Sequence, residues 1–351
     1  MSVWDHTDYY ESSVSEEFRI SLGEGNTSLI ASRSIGPSVG LENLFFKLES
    51  GNPTGSYKDR FAALGISHMK LSGDNTCLAT SSGNTGAALA AYCAAAQIRC
   101  RIAVVETAPI AKLQQMLAYG AEIERVRGFG PDAAVTQQVI ECLHRKAEEP
   151  GHALQVSAFH WSPLGMQGVQ SIAYELNEQM EKHIDHVFSP AGGGGLTLAV
   201  ARGFSPAYST AVHCVQPEGN DTIASALRSG LDAAQDVECT TKISGLQVAN
   251  VIDGHEVIAA CRTSGGTGHV VCDEEVYAAQ KRLAREEGIF SEPAGGVALA
   301  GILKAAKHGD IPPSARVVAL ITGSGFKDAH SIESMNAGNE CPLVDPDQLF
   351  A

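Results

Sequence analysis

Lys58 lies in the stretch Glu49-Ser50-Gly51-Asn52-Pro53-Thr54-Gly55-Ser56-Tyr57-Lys58-Asp59-Arg60, between a short apolar, strand-like run at 44–48 and an alanine-rich helical pattern at 61–69. Asn52, Pro53, Thr54, Gly55 and Ser56 are turn and cap residues, so Lys58 is expected in the first turn of that helix. There the positive end of the helix dipole and partial burial both favour the neutral amine, which is the form that condenses with a carbonyl. A lone lysine in a helix is most often a solvated surface group, so other residues must support this reading. Ser81-Ser82-Gly83-Asn84-Thr85-Gly86 stands between a strand-like run at 76–80 and a helical run at 87–96. Free N–H groups at a positive helix end make that turn a seat for a carboxylate. Gly192-Gly193-Gly194-Gly195-Leu196 follows a strand-like run at 187–190 and precedes a helical run at 197–203. Four glycines let the backbone curl into a nest of N–H groups that holds a phosphate dianion. A fourth segment, Thr322-Gly323-Ser324-Gly325-Phe326-Lys327-Asp328, ends a buried-strand pattern at 316–321.

Asn52-Pro53-Thr54-Gly55-Ser56-Tyr57-Lys58-Asp59-Arg60 resembles the lysine segment of threonine synthases, members of the tryptophan-synthase-β-like (fold type II) group of pyridoxal-phosphate (PLP) enzymes. Ser-Gly-Asn-Thr-Gly at 82–86 resembles that family's substrate loop, the glycine tetrad its phosphate loop, and Thr322 onward its pyridine-facing motif. Gly23-Glu24-Gly25-Asn26-Thr27-Ser28-Leu29 is similar to the family's Gly-x-Thr-Pro-Leu segment, with Ser28 for proline, and Glu292-Pro293-Ala294 to an element near the cofactor ring. The segments occur in family order from Gly23 to Asp328. The resemblance implies a Schiff base between Lys58 and PLP. It gives Asn84 a contact to the cofactor's 3′-oxygen and Ser81, Ser82, Gly83, Asn84 and Thr85 the substrate carboxylate. Gly192, Gly193, Gly194, Gly195 and Leu196 take the phosphate, and the Thr322 hydroxyl faces the pyridine nitrogen. A dinucleotide loop is the rival reading of the tetrad, with Glu218 imitating a ribose-binding acid. Thr197 stands where that fingerprint needs Gly or Ala, and the Lys58 and Asn84 segments decide against it.

The elements that must position these residues alternate. Strands at 101–105, 121–126 and 155–159 and helices at 111–118, 133–148 and 166–182 imply a parallel sheet covered on both faces. The expected fold is α/β, with two open, doubly wound domains and PLP in the cleft between them. The smaller domain spans 38–160, the larger 1–37 plus 161–340, and a tail 341–351. Residues 229–252 read as coil. His183 and His186 lack a third partner for a metal.

With 351 residues, 36 glycines and a net charge of −15, the chain suits a packed enzyme and not a nucleic-acid or anionic-membrane surface. Nine scattered cysteines, with no Cys-x-x-Cys pair, suggest neither a disulfide framework nor a zinc ribbon. With no leader-like segment and no long apolar run, a cytoplasmic location is expected, and the family resemblance implies a homodimer.

The implied activity is that of a PLP-dependent carbon–oxygen lyase: O-phosphohomoserine and water to threonine and phosphate, by elimination and β-addition. A hydroxyl in place of a carboxylate at the pyridine nitrogen weakens the electron sink and favours elimination or replacement over transamination. The pattern breaks at Leu164-Gly165-Met166-Gln167-Gly168-Val169-Gln170-Ser171, where Gln170 replaces an expected lysine and the expected arginine is missing. Arg60 and Lys112 are then the candidate partners of a substrate phosphate. Two alternatives follow: a PLP-dependent serine/threonine dehydratase or β-replacement enzyme acting on an activated serine, and a nucleotide-binding or non-catalytic protein that uses the glycine tetrad alone.

Overall fold

The computed structural model describes residues 2–204 and 209–349. The ends of the expected larger domain and tail, Met1, Phe350 and Ala351, lie outside the described residues. In chain order the elements are β1 (Leu29–Ala31), the short α1 (Ile35–Ser38), β2 (Asn43–Leu48), α2 (Lys58–Ser72), β3 (Thr76–Ala79), α3 (Asn84–Ala96), β4 (Arg99–Val105), α4 (Ile110–Ala118), β5 (Glu122–Val126), α5 (Ala133–Ala147) and β6 (His152–Leu154). There follow α6 (Pro163–Gln179), β7 (His186–Pro190), α7 (Gly195–Gly203), β8 (Ala211–Pro217), α8 (Ala224–Arg228), α9 (Gly254–Thr263), β9 (Gly268–Val271), α10 (Asp273–Glu287), α11 (Pro293–His308), β10 (Arg316–Ile321) and α12 (Ala329–Met335).

The strands form two sheets, one of six in the order β1-β2-β10-β7-β8-β9 and one of four in the order β5-β4-β3-β6. Every pairing is parallel except β1 with β2. Parallel strands need helical crossovers, which cover both faces. Accordingly β3 and β8 are buried along their whole length. Helix stops follow local chemistry: α2, α10 and α11 end on Gly73, Gly288 and Gly309 in the left-handed region, and the Asp132 carboxylate caps α5 by accepting from Ala134 N and Val135 N. One apolar cluster joins the two sheets through Phe61 and Leu64 of α2 and Met166 and Val169 of α6. A second fills the other face of the larger sheet between β10 and the α10–α11 pair.

Two expectations are corrected. β2, assigned to the smaller domain by a boundary at 38, pairs with β1 and β10 in the six-stranded sheet. The last strand of the smaller sheet is His152–Leu154, not 155–159, because the chain leaves the ladder after Gln155 N bonds Leu78 O at 2.8 Å. The 229–252 segment is coil as read, but α9 and β9 follow it.

Candidate active site

In open α/β sheets the loops beyond the carboxyl ends of the strands form the ligand crevice. Here the chain leaves β2 for Lys58, β3 for Asn84, β7 for the glycine tetrad and β10 for Thr322. These four segments line one cavity of about 450 Å³, together with Ser157, Lys112, Ser244 and Glu292. Ser81, Ser82, Gly83 and Thr85 are also in its wall. The expected carboxylate seat, lysine and phosphate loop therefore share one space.

The lysine segment is tied to the end of β10. Ile321 pairs with Leu48, Tyr57 N donates to Thr322 O at 3.1 Å and Ser324 N to Gly55 O at 2.9 Å, and Ser56 bridges Gly323. Lys58 is the first residue of α2. Its Nζ donates to Ser157 Oγ and lies 4.6 Å from the Tyr57 ring centroid.

Gly194 caps α7 at φ +102, and no described side chain bonds that helix end. A Cβ at Gly194 would lie 2.7 Å from Val257 Cγ2, on a backbone angle that L residues avoid. The first N–H groups of α7 are thus left for a ligand at a positive helix end. Thr197, at the decisive position of the dinucleotide reading, is buried and donates to Ser189 Oγ at 3.0 Å. Asn84 starts α3, and its Nδ2 donates to Glu292 Oε1 at 2.7 Å. Burial pushes the Glu292 carboxyl up to about 7, against the pull of the Asn84 bond and of Lys327 and Lys112. A side chain at Gly323 would put Cβ 2.1 Å from Glu292 Oε1, so the glycine gives the Glu292 carboxyl room to lie against the backbone.

Arg60 is not in the cavity, which corrects its expected substrate role. The guanidinium is fully buried behind α2, paired with Glu49 at 2.7 Å and Glu175 at 2.6 Å, and it donates to Ser171 Oγ and Thr27 Oγ1 as well. Gln170 is not in the cavity wall; it accepts from Tyr174 at 2.8 Å. Lys112 does reach the cavity, where its ammonium donates to Ser244 Oγ at 2.6 Å and Asp328 Oδ2 at 3.1 Å. Two parts of the wall escaped the sequence reading. Ser157 was hidden in an expected strand, and Ser244 to Val248 sit in a coil without periodicity.

These groups suit a phosphorylated aromatic aldehyde. The α7 N-terminus, which has no side-chain cap, would suit the phosphate, an amine stands at the first turn of another helix, and Asn84 and Thr322 would supply neutral polar contacts.

Residues 20–323 match the family model described as pyridoxal-phosphate dependent enzyme. The threonine synthase of Methanocaldococcus jannaschii is 32% identical over 342 residues, covering 93% of this chain and 81% of the relative. That of Bacillus sp. strain ULM1 is 33% identical over 325 residues, covering 90% and 87%. Among solved structures, diaminopropionate ammonia lyase from Escherichia coli superposes with a TM-score of 0.77 at 19% identity, covering 95% of this chain and 96% of that one. Threonine deaminase isoform 2 from Solanum lycopersicum gives 0.76 at 22%, covering 95% and 87%. At such identities the superpositions speak for the fold, the tryptophan-synthase-β-like fold type II. The chain belongs to the pyridoxal-phosphate dependent enzyme family.

Proposed function

We propose that the protein is a lyase of the threonine synthase type, converting O-phosphohomoserine and water to threonine and phosphate. The observation that carries this reading is one cavity that joins Lys58 Nζ, the uncapped end of α7, the Asn84 loop and the Lys112 ammonium. Relatives of that name at 32% and 33% identity over nine-tenths of the chain support it.

Bound PLP supplies an electron sink that loosens bonds at Cα and lets a group leave from Cβ or Cγ. The residues supply the rest. Lys58 would hold the cofactor's aldehyde end, and its amine, bonded to Ser157 Oγ, is placed to move protons at the substrate's Cα and Cβ. Gly192, Gly193, Gly194, Gly195 and Leu196 hold the cofactor phosphate on backbone N–H groups. The N–H and hydroxyl groups from Ser81 to Thr85 seat the substrate carboxylate and so orient its Cα–H bond. Asn84, restrained by Glu292, would contact the ring oxygen, and Thr322 would offer a hydroxyl to the ring nitrogen. Lys112, freed from Asp328, receives the leaving phosphate; such a charge-assisted contact contributes about 1.5–3 kcal/mol.

A second reading keeps the cofactor and drops the phosphate substrate: dehydration of serine or threonine, or β-replacement on an activated serine. It draws on the consumption of Arg60 by Glu49 and Glu175 and on the engagement of Lys112 with Asp328. Titration of the visible absorbance of the purified protein with O-phosphohomoserine, threonine and serine separates the two. Phosphate released with threonine establishes the first; a 2-oxo acid from threonine, with no reaction of phosphohomoserine, establishes the second.

A further inference from the structure

Away from the cavity, three thiols converge inside the four-stranded unit. Cys77 on β3 and Cys100 on β4 are register partners across the parallel ladder, and Cys93 lies on α3, which covers them. Their sulfurs all lie within 4.8 Å of one another. Cys77 and Cys93 are fully buried and Cys100 is 6% exposed, all within the apolar cluster that includes Ala79, Tyr92, Ile98 and Ile102.

We propose that Cys77, Cys93 and Cys100 form a three-sulfur binding site for a trivalent, thiophilic metalloid hydroxide, for which arsenite is the probe. Ligand number and charge select this class. A structural zinc site wants four ligands, and this group offers three. Three thiolates around copper(I) would leave two net negative charges in an apolar core. The carboxylate of Glu122, on the neighbouring strand β5, is paired with Arg99 and Arg101, so it brings no net charge to the triad. With As(OH)3 the charge balances: three As–O bonds break, three As–S bonds form, and each thiol proton leaves with a hydroxide as water. The arsenic stays trivalent, no electrons are transferred, and the product is neutral. Cys100, the only one of the three residues with any exposure, is the point of first attack.

Native mass spectrometry of the reduced, PLP-loaded protein equilibrated with arsenite tests the site. The expected adduct is one arsenic gained and three hydrogens lost per chain. It persists when Cys142, Cys239, Cys272 and Cys341, the cysteines that are not buried, are replaced by serine. Cys93→Ala extends the alanine run of α3 and retains the visible cofactor band; its adduct loses one hydrogen fewer per arsenic, keeps a hydroxyl and binds at least tenfold more weakly. Cys100→Ala gives the same result by an independent route. No adduct in the wild type, an adduct unchanged by either alanine variant, or one abolished by removing the four peripheral cysteines overturns the proposal. Uptake of copper(I) or zinc with refusal of arsenite overturns it as well.

Discussion

Replacing Glu175 by glutamine should destabilise the protein severely without touching the cavity. The Glu175 carboxylate is fully buried, 2.6 Å from Arg60 Nη1 and 2.6 Å from Lys47 Nζ, and Glu49 lies 2.7 Å from Arg60 Nε. Two buried cations therefore face two buried carboxylates, and the group is neutral. Glu175→Gln keeps the shape and leaves one positive charge unpaired. Breaking a buried pair in this way typically costs about 3–5 kcal/mol, a large part of the ~5–15 kcal/mol that holds a protein folded. Lys47→Met alone leaves the opposite excess and should cost a similar amount, about 3–5 kcal/mol. The double variant restores neutrality between Arg60 and Glu49, so it should be no less stable than Glu175→Gln, and the two changes should couple by about 2–3 kcal/mol. Urea denaturation followed by tryptophan fluorescence measures all four proteins, with midpoints compared at equal slope. The pH dependence has a fixed sign. Arg60 and Lys47, against the opposing cost of burial, bring Glu175 down to about 2. Its contribution is present above the ordinary carboxylate value of about 4.3 and is lost as pH falls toward 2. A single variant within about 1 kcal/mol of wild type, or strict additivity of the pair, would refute the view that Arg60 belongs to a neutral structural quartet.

Lys58→Ala should fold and lose the absorbance of lysine-linked cofactor; a retained band would remove Lys58 from its proposed role. Gly194→Ala forces φ +102 on a side chain with Cβ 2.7 Å from Val257 Cγ2. It should cost about 1–3 kcal/mol of stability and weaken PLP binding, measured by equilibrium dialysis. Because burial raises the Glu292 carboxyl to about 7, stability should fall as pH rises from about 4.3 through 7. Glu292→Gln should flatten that part of the denaturation profile. His213 and His269, whose rings lie 5.2 Å apart on β8 and β9, are pushed by burial down to about 2 and about 4. The unfolded chain takes up protons on them below about 6.5 and the folded one does not. Stability should drop as pH falls below that value, and His213→Phe should reduce the drop.

Segments that owe their form to local chemistry were legible from the sequence. Lys58 heads its helix because turn formers precede it, the tetrad opens α7 because only glycine reaches φ +102 at Gly194, and residues 316–321 form β10 because an unbroken apolar run bounded by a glycine turn suits a buried parallel strand. Readings that depended on distant partners were lost. Arg60 sits two residues from Lys58, yet a helix turns side chains at i and i+2 to different faces, and the cavity and the Glu49–Glu175 quartet lie on different sides of α2. β2 looks like any short apolar strand; its place between β1 and β10 is set by pairing across some 270 residues, which no local pattern records. Ser244 to Val248 enter the wall through tertiary contacts such as Val248 N to Asn220 Oδ1 at 3.0 Å.

The stitching of the lysine segment to β10 fixes which parts of the site can move together. Lys58, Thr322 and the tetrad follow β2, β10 and β7, adjacent members of one sheet, so the proposed attachment points of the cofactor share one frame. Asn84, Lys112 and the Ser81–Thr85 loop ride on the other sheet. They reach across through three polar latches: Asn84 to Glu292, Lys112 to Asp328, and Lys327 to Gln115 at 2.5 Å. A hinge motion of the smaller unit would have to open these latches and also the bond from Lys58 Nζ to Ser157 Oγ, which ties the lysine to the segment after β6.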